Sequence, residues 1–407
     1  MPRDPIAIIG AGQAGAALAE RLRHKGYDGA IALFGQEPCQ PYQRPPLSKK
    51  YLGGEWDFDR LALRPAAHWQ ELGVDIVTSA TVTAIDPAQK TLTVGGQTLR
   101  WSKLALTTGA APRRLPDGLR GLAGVYEMRT LADADALKAD FRSGRRLLVL
   151  GGGYIGLETA AVAAKAGLDV CVIEQAPRIL QRVACEQTAS LIRDLHRQHG
   201  VRILEGRCVI RFIGTDRFTA LALDDGTQLE ADLIVVGIGV LPCTGLAQDA
   251  GLKCDNGIRV DLYGRSSAPD IWAAGDCANF PYQGIPTRLE SVPNAVEQAE
   301  CAADDMLSLS RPYQPIPWFW SDQYDMKLQI VGLNRGYDRV LPVPSERGHS
   351  LWYFRDGRMI AVDALNDARA FMAAKRLFEK DITLTLEEAS ADGFDPVAWV
   401  LQALKKG

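Results

Sequence analysis

The chain has 407 residues, enough for two or three domains with sizeable hydrophobic cores. Its 47% hydrophobic and 23% charged residues are ordinary for a globular protein, and the net charge of −3 gives no reason to expect a surface for nucleic acids or membranes. The longest apolar stretches, such as residues 233–241, are far shorter than a membrane span, and the first predicted strand begins by Ile6; we therefore expect no signal peptide and a cytoplasmic protein.

The first predicted strand, residues 6–9, runs into a glycine-rich turn that contains Gly10, Gly12 and Gly15. Apolar residues at helical spacing follow the turn, and a second predicted strand covers residues 30–34. This order of strand, turn, helix and strand is the context that a GxGxxG dinucleotide fingerprint requires. The glycines let the backbone approach a pyrophosphate, whose charge is held by amide groups at the helix N-terminus.

A second fingerprint turn contains Gly151, Gly153 and Gly156 and opens a predicted helix at residues 155–166. The strand after that helix ends at Glu174, 18 residues past Gly156, near the roughly 20 residues expected for a carboxylate that binds a ribose. Two such turns predict two dinucleotides, most simply those of a flavin enzyme reduced by a nicotinamide. The alternative is two ordinary βαβ units with glycine-rich turns.

The predicted elements divide the chain into three domains. A link rich in proline and arginine, residues 112–116, is predicted to be a boundary. We expect a flavin domain of residues 1–112 and 238–316, interrupted by a nicotinamide domain of residues 113–237. The alternating stretches that follow predict an antiparallel sheet and then two helices, so residues 317–407 form a C-terminal α+β domain.

Eight cysteines are scattered along the chain with no CxxC or CxxxxC spacing. This pattern argues against a metal site and against an internal redox disulfide. Several cysteines lie within apolar strands, as Cys171 does, where a free cysteine behaves as a small hydrophobic residue. We interpret all eight as structural and predict no metal site.

Five short motifs then identify a family. The first is PYQRPPLSK at residues 41–49, and the second is GGGYIGLE at residues 151–158. The others are IWAAGDCA at 271–278, ESVPNAVEQ at 290–298 and WFWSDQ at 318–323. In these motifs and their order the chain resembles the FAD-dependent NADH:ferredoxin reductases of oxygenase systems, of the putidaredoxin reductase and biphenyl-dioxygenase reductase types. The resemblance implies a glutathione reductase-like α/β fold, with two Rossmann-like dinucleotide-binding domains and an added C-terminal α+β domain.

The resemblance also implies the cofactors and the partner. NADH would deliver a hydride to FAD, and the electrons would then leave singly to a small [2Fe–2S] ferredoxin. That ferredoxin would serve a cytochrome P-450 monooxygenase or a Rieske-type oxygenase. The runs WSDQYD at residues 320–325 and RLESVPN at residues 288–294 are slightly more similar to those of the P-450 branch.

Individual residues take roles from the same resemblance. Lys49 matches a lysine beside the flavin that pairs with the glutamate matching Glu158, and a cation there stabilises the charge of the reduced ring. Asp276 matches a carboxylate that hydrogen-bonds the ribityl chain of FAD. Val292 begins a segment whose helix N-terminal amides face the pyrimidine end of the flavin. Further FAD contacts are implied at Ala14, Arg44, Val82 and Arg129.

Plain structural interpretations stand beside three of these roles. Without the motif, Lys49 is a solvated lysine at a helix start, and Glu158 is an acid on a helix face. Arg129 is otherwise a surface arginine capped by Asp133.

The chain departs from the family pattern where the adenine ribose of FAD would bind. The first βαβ unit ends in Gln36 and Glu37, and the family commonly has an acid at the position of Gln36, so either side chain is expected to bind the ribose. In the second unit the acid is Glu174, which predicts NADH because a carboxylate repels a 2′-phosphate. Arg178 and Arg182 lie close behind and leave NADPH open.

Trp320 matches a tryptophan near the flavin, on the side from which the ferredoxin approaches. Trp318 and Trp320 would share one face if this segment is a strand, and we favour Trp320 because it directly precedes Ser-Asp-Gln. We expect transient, electrostatic docking of the ferredoxin near Trp320, and a reductase that is a monomer or a weak dimer. Candidates for a basic patch around Trp320 are Arg288, Arg311, Lys327 and Arg335.

Two other functions compete with ferredoxin reduction. A thiol-dependent NADH oxidase, peroxidase or coenzyme-A disulfide reductase needs a cysteine beside the flavin, whereas Arg44 and Pro45 stand at about that place and Cys39 precedes the motif. A non-enzymatic flavoprotein similar to apoptosis-inducing factor shares the fold and binds DNA. Residues 317–407 carry 12 Lys+Arg against 13 Asp+Glu, so no basic domain supports that second alternative.

Overall fold

A computed structural model describes residues 4–114, 119, 121–345 and 348–406. Residues 115 and 116 of the predicted link lie outside these ranges. The chain divides into two compact units. The first unit contains Met1–Arg44, Asp57–Ala111 and Val240–Pro315, and the second contains Pro45–Trp56, Pro112–Gly239 and Ile316–Gly407. The domain ranges given above from the sequence stay a prediction.

The first unit is built on a five-stranded parallel sheet. Its strands, in spatial order, are Ile271–Ala273, Lys103–Leu106, Ile6–Ile9, Ile31–Phe34 and Val74–Val77. Apart from Lys103, the central strands are continuous apolar runs, as expected for parallel strands that are covered on both faces. The strands predicted at residues 6–9 and 30–34 are therefore confirmed, the second to within one residue.

Two helices pack together beside this sheet, Gln13–His24 (the first fingerprint helix) and Val292–Met306. Both present small buried residues, mostly alanine, to a shared core. Ser291 caps the second of these helices by accepting a hydrogen bond from the backbone N–H of Asn294. The helix predicted to begin at Val292 is confirmed.

The remaining elements of the first unit are short. They are the antiparallel strands Val82–Asp86, Thr91–Val94 and Gln97–Arg100, a three-stranded sheet of Ile258–Arg259, Ala278–Tyr282 and Ile285–Thr287, the strand Val240–Pro242, and the helices Phe58–Leu61, Ala66–Glu71 and Gly245–Asp249. The strand Ala110–Pro112 ends at the first residue assigned to the second unit.

The second unit contains a second five-stranded parallel sheet. Its strands, in spatial order, are Arg202–Glu205, Asp169–Glu174, Arg146–Leu150, Leu233–Val236 and Val125–Glu127. Its helices are Leu131–Asp140, Tyr154–Lys165 (the second fingerprint helix) and Glu186–Gln198, and a three-stranded antiparallel sheet of Val209–Gly214, Phe218–Leu223 and Gln228–Glu230 is attached. The short 3₁₀ turn Pro45–Ser48 contacts the second fingerprint helix.

The C-terminal part of the second unit is the predicted antiparallel sheet followed by helices. The strand order is Trp318–Gln323, Met326–Gly332, Arg358–Leu365, His349–Arg355 and Arg339–Pro344, and every neighbouring pair is antiparallel. The helices are Ala368–Glu379, Leu386–Ala389 and Pro396–Lys406. The fold class is therefore α/β, with two Rossmann-like sheets and a C-terminal α+β part, as predicted.

Candidate functional site

The first glycine turn fits a dinucleotide because its three glycines meet different surroundings. A Cβ atom built on Gly10, whose φ is +115°, would lie 2.2 Å from the carbonyl oxygen of Thr107. A Cβ on Gly15 would lie 2.1 Å from the carbonyl oxygen of Gly10. A Cβ on Gly12 would have no described atom within 4 Å. The outer glycines thus allow close packing, and the middle one leaves the backbone open to a pyrophosphate.

The second glycine turn has the same construction. A Cβ on Gly151, whose φ is +100°, would lie 2.4 Å from the carbonyl oxygen of Gly237, and one on Gly156 would lie 2.2 Å from that of Gly151. A Cβ on Gly153 would meet no described atom within 4 Å. Each unit therefore contains one turn that fits a pyrophosphate at a helix N-terminus.

Glu174 lies over the second turn at the carboxyl end of its strand. Its carboxylate accepts hydrogen bonds of 2.7 Å from the backbone N–H groups of Gly152 and Ala176. Arg178 donates to the carbonyl oxygen of Ala184 at 2.8 Å and forms an ion pair with Glu186 at 3.3 Å. At the predicted ribose position the charge is therefore that of Glu174, and the Arg178 guanidinium is held by other groups.

At the predicted ribose position of the first unit, Glu37 is held by its neighbours. Its carboxylate accepts a hydrogen bond of 2.6 Å from the hydroxyl of Tyr42 and forms an ion pair of 2.5 Å with Arg44. Arg44 also donates to the Tyr42 hydroxyl at 2.9 Å. Gln36 is exposed. Arg44, which was predicted to bind the flavin, thus contacts one of the two candidate ribose-binding residues.

The turn that contains Asp276 lies against the first fingerprint helix. Gly275, with a φ of +81°, precedes Asp276, and a Cβ built on it would lie 3.1 Å from the Cβ of Ala14. The buried side chain of Gln298 accepts the N–H of Gly275 at 2.9 Å. Its own amide nitrogen, and the Nε atom of Arg288, are buried without a hydrogen-bond partner among the described residues. Unsatisfied buried donors beside the carboxylate that is predicted to bind the ribityl chain fit a bound flavin.

The other residues assigned to FAD lie at element ends. Val82 is buried at the first position of its strand. Arg129 precedes Thr130, the N-cap of a helix, and its backbone N–H donates to the carboxylate of Asp133 at 3.2 Å. Val82 lies in the first unit and Arg129 in the second. The proposed contacts of both residues with FAD stay predictions.

The predicted ion pair between Lys49 and Glu158 is confirmed. The Lys49 Nζ atom lies 3.0 Å from Glu158 Oε1, and only 4% of the Glu158 side chain is exposed. The hydroxyl of Ser48 donates to Glu158 Oε2 at 2.8 Å. Burial raises the pKa of Glu158, while the charge of Lys49 and hydrogen bonds from Ser321, Ser48 and Lys49 oppose that rise.

The sequence did not predict how the WFWSDQ strand contacts the helices. Phe319, Ser321 and Gln323 lie on one face of the strand, because side chains alternate along it. The Phe319 ring packs on Tyr154 with centroids 4.7 Å apart, and the Ser321 hydroxyl donates to Glu158 Oε1 at 2.6 Å. The alternation of side chains along the strand indicated that these three residues share a face. The sequence did not indicate that this face packs on Tyr154 and Glu158 of the second fingerprint helix.

Trp318 and Trp320 share the opposite face of the same strand, as predicted for a strand. Their ring centroids are 5.6 Å apart. Trp318 also contacts Phe371 and lies under the ammonium group of Lys375, whereas Trp320 is partly exposed. Trp318 therefore has a packing role inside the C-terminal part of the second unit.

One member of the expected basic patch is unsuitable for docking. Arg288 has a side chain that is only 10% exposed and forms a 2.6 Å ion pair with Glu290. Arg311 is exposed but pairs with Asp304 at 3.2 Å. Lys327 and Arg335 are exposed. The prediction for Arg288 is wrong because its burial and its carboxylate partner withdraw its charge from the surface.

The cysteines support a structural interpretation. All eight are free. Burial, together with the charge of Glu37, raises the pKa of the Cys39 thiol, so Cys39 is not an activated thiolate. Within the described residues there is no cluster of ligands for a metal ion and no helix long and apolar enough to cross a membrane.

Comparisons with known proteins agree with this geometry. The model of the pyridine nucleotide-disulphide oxidoreductase family matches residues 4–299, and that of the reductase C-terminal family matches residues 318–396. The chain is 41% identical over 382 residues to a ferredoxin–NAD(P)(+) reductase of Sphingomonas sp., covering 92% of each chain. It is 39% identical over 385 residues to putidaredoxin reductase of Pseudomonas putida, covering 92% of this chain and 91% of that one. A crystal structure of a covalent putidaredoxin reductase–putidaredoxin complex matches with a TM-score of 0.95 and 36% identity over 100% of both chains.

Proposed function

The chain belongs to the ferredoxin–NAD(P) reductases of the pyridine nucleotide-disulphide oxidoreductase family, and from that premise we propose that it transfers electrons from NADH to a [2Fe–2S] ferredoxin. Its activity is that of an FAD-dependent NAD(P)H:ferredoxin oxidoreductase. The observation that carries the proposal of NADH as the electron donor is the presence of two glycine turns of the same construction in one chain. The second of these turns lies under Glu174.

Bound FAD accepts two electrons as a hydride and gives them up singly, which allows a two-electron donor to serve a one-electron acceptor. In our proposal the turn at Gly10, Gly12 and Gly15 holds the pyrophosphate of FAD, and Asp276 holds its ribityl chain. The helix that begins at Val292 directs N–H groups at the flavin, favouring negative charge there.

Lys49 supplies a cation for the reduced flavin in this proposal. The ion pair with Glu158 supports that role, because it holds the largely buried ammonium group of Lys49 in one orientation. Two hydroxyl groups, those of Ser48 and Ser321, donate to the same carboxylate and keep it oriented.

Glu174 supports NADH over NADPH as the donor. The 2′-phosphate of NADPH would approach the Glu174 carboxylate, which two backbone N–H groups hold in place. The two negative charges would repel each other. Arg178 already donates to a main-chain carbonyl and pairs with Glu186, so it offers little compensation.

The ferredoxin is proposed to dock transiently near the partly exposed Trp320, and to serve a cytochrome P-450 or a Rieske-type oxygenase. The motif that contains Trp320 is the support for this step, together with the exposed cations Lys327 and Arg335. Eight free cysteines are consistent with our proposal of a cytoplasmic reductase, since disulfides are rare in that compartment.

Replacement of Lys49 tests the proposal directly. We expect Lys49→Ala to slow flavin reduction by NADH in stopped-flow bleaching by about tenfold or more, because the reduced ring loses its cation. Lys50→Ala is the matched control, since Lys50 is exposed and lies over the ring of Trp56. Unchanged bleaching in Lys49→Ala would contradict the role, and a wild-type chain that NADH does not bleach would contradict the function.

A further inference from the structure

A chain of buried hydrogen bonds runs from the surface of the second unit to the Glu158 carboxylate. Ser321 donates to Glu158 Oε1 at 2.6 Å, and the Gln323 amide nitrogen donates to the Ser321 hydroxyl at 3.2 Å. The other end of that amide, Oε1, lies 2.8 Å from His196 Nε2. The hydroxyl of Tyr324 lies 3.3 Å from His196 Nδ1.

The chemistry of the groups gives every bond in this chain the same direction. Gln323 Oε1 is only an acceptor, so His196 must carry its proton on Nε2. The neutral ring then accepts at Nδ1 from the Tyr324 hydroxyl. Four donors in sequence thus point toward Glu158, and bonds aligned in this way polarise and strengthen one another.

This series of hydrogen bonds lies in the interior of the second unit except at its outer end. Ser321, Gln323 and His196 are each no more than 2% exposed. At the outer end the ring of the exposed His199 stacks on Tyr324 with centroids 3.7 Å apart. A buried carboxylate needs compensation by donors, and one cation with two serine hydroxyls supplies it here.

We propose that Ser321, Gln323 and His196 are positioning residues for the flavin-reduction step, because their donor chain keeps Glu158 ionised and thereby holds Lys49 in place. This inference rests on the proposed role of Lys49. It gives the Ser-Asp-Gln run of the fifth motif a function that is separate from ferredoxin docking, since Ser321 and Gln323 occupy the opposite face of the strand from Trp320.

Two pKa shifts agree with the geometry. Burial lowers the pKa of His196 to about 4 although the hydrogen bond with Gln323 opposes the decrease, so the ring is neutral near pH 7 and one of its nitrogens is free to accept. Burial raises the pKa of Glu158, and the Ser321 hydrogen bond opposes the rise. Among the ionisable groups near Glu158, Lys49 opposes the rise of its pKa through its charge, and Tyr154 on the same helix is neutral because burial raises its own pKa.

Removal of the Ser321 hydroxyl gives a signature that depends on pH. We expect Ser321→Ala in the FAD-loaded enzyme to move the acidic limb of NADH-driven flavin bleaching to higher pH by about one unit, because Glu158 then takes up a proton more easily. At a fixed pH on that limb the rate falls by up to about tenfold, and it recovers as the pH is raised. The flavin reduction potential measured at pH 7 should fall in the same variant, because the cation is held less firmly.

The matched control is Asp322→Ala, whose exposed side chain lies on the other face of the same strand. It should leave the pH profile and the potential of the wild type unchanged. Further from Glu158 along the hydrogen-bond chain, His196→Phe should shift the limb less than Ser321→Ala. His196→Gln should restore it in part, since its amide keeps a donor for Gln323.

A measurement on the wild-type protein stands even if a variant fails to fold. Nitrogen-15 NMR of the histidine rings should show His196 neutral, with its proton on Nε2, from pH 5 to pH 8. A protonated ring, or a proton on Nδ1, would overturn the inference. So would a Ser321→Ala enzyme that bleaches with the wild-type pH profile and potential, whereas a wild-type enzyme that NADH cannot bleach would instead contradict the proposed function.

Discussion

Two buried carboxylates of the second unit differ in what surrounds them. Glu158 has a cation partner in Lys49. Asp363 has no ion-pair partner among the described residues; it accepts hydrogen bonds from Thr188 at 2.7 Å and from Tyr353, and its Oδ1 atom has no described hydrogen-bond partner. Burial accordingly raises the pKa of Asp363 to about 6. A charged Asp363 is therefore a cost to the folded state.

We expect Asp363→Asn to remove a pH dependence of stability. The folded-state pKa of about 6 lies above the unfolded value of about 3.9, so the stabilising contribution is complete below pH 4 and is lost as the pH rises through 6. The difference amounts to about 3 kcal/mol at most. Melting temperatures from pH 4 to pH 8 should show the wild type losing stability relative to the variant. A constant difference between the two curves would contradict this expectation.

Glu174 is the residue at which donor specificity is expected to change. Glu174→Gln keeps the length of the side chain but removes the charge that would repel a 2′-phosphate. We expect the ratio of kcat/KM for NADH to that for NADPH to fall by about tenfold. The exposed Arg182 provides a control. Arg182→Gln also changes one charge, but it should lower the kcat/KM for NADPH and not raise it. An unchanged ratio in Glu174→Gln would sink the proposed preference.

At the scale of elements, each fingerprint helix separates packing from binding through its glycines. Gly10 and Gly15 have no room for a side chain, whereas Gly12 faces open space. Gly12 also has a φ of −95°, which an alanine adopts without strain. The motif therefore combines two structural positions with one position left for a ligand.

This division can be measured in the apoprotein. Gly10→Ala should lower the free energy of unfolding by about 2 kcal/mol or more, because its Cβ meets the Thr107 carbonyl and its φ is +115°. Gly12→Ala should keep the melting temperature of the apoprotein while weakening FAD binding by about tenfold. Equal FAD affinity in Gly12→Ala and wild type, by fluorescence titration, would show that the pyrophosphate lies elsewhere.

The strand Trp318–Gln323 serves two surfaces through its alternation. Its odd-numbered residues contact the second fingerprint helix and the helix Glu186–Gln198, while its even-numbered tryptophans occupy the other face. Tyr154 and Glu158, one helical turn apart, meet Phe319 and Ser321, which lie two residues apart. One turn of the helix therefore matches one two-residue repeat of the strand, and this contact between helix and strand positions Glu158.

For the whole molecule, the question is where electrons leave. We expect Trp320→Ala to slow ferredoxin reduction by about tenfold while NADH–ferricyanide turnover stays at the wild-type rate. Trp318→Ala is the matched control, because Trp318 packs on Phe371; it should lower the melting temperature instead. The assay would use the [2Fe–2S] ferredoxin that a panel shows to be reduced fastest. A loss in both assays for Trp320→Ala would contradict a docking role.

Much of the fold could be predicted from short-range pattern. Apolar runs marked the parallel strands at residues 6–9 and 233–236, and alternation marked the C-terminal sheet. Glycine spacing predicted both turns because it reflects local backbone geometry. The grouping of Pro45–Trp56 with the second unit was not predicted, since such contacts join residues far apart in the chain.

The candidate site was predictable only where a motif carried it. Lys49 and Glu158 were predicted to pair, and they do. Ser321, Gln323 and His196 were not predicted as a set, because nothing in local spacing links a strand near residue 320 to a helix near residue 196. Arg288 was wrongly placed on a surface, since burial depends on packing and not on residue type.

The linear order of residues therefore specified two dinucleotide turns, the α/β class and the acid at Glu174, because each depends on neighbours within a few residues or on one helical or strand period. Long-range packing specified the rest: the direction of the hydrogen bonds that reach Glu158, and the withdrawal of Arg288. A buried charge is stable only with donors brought from distant segments, and only the folded chain shows which donors those are.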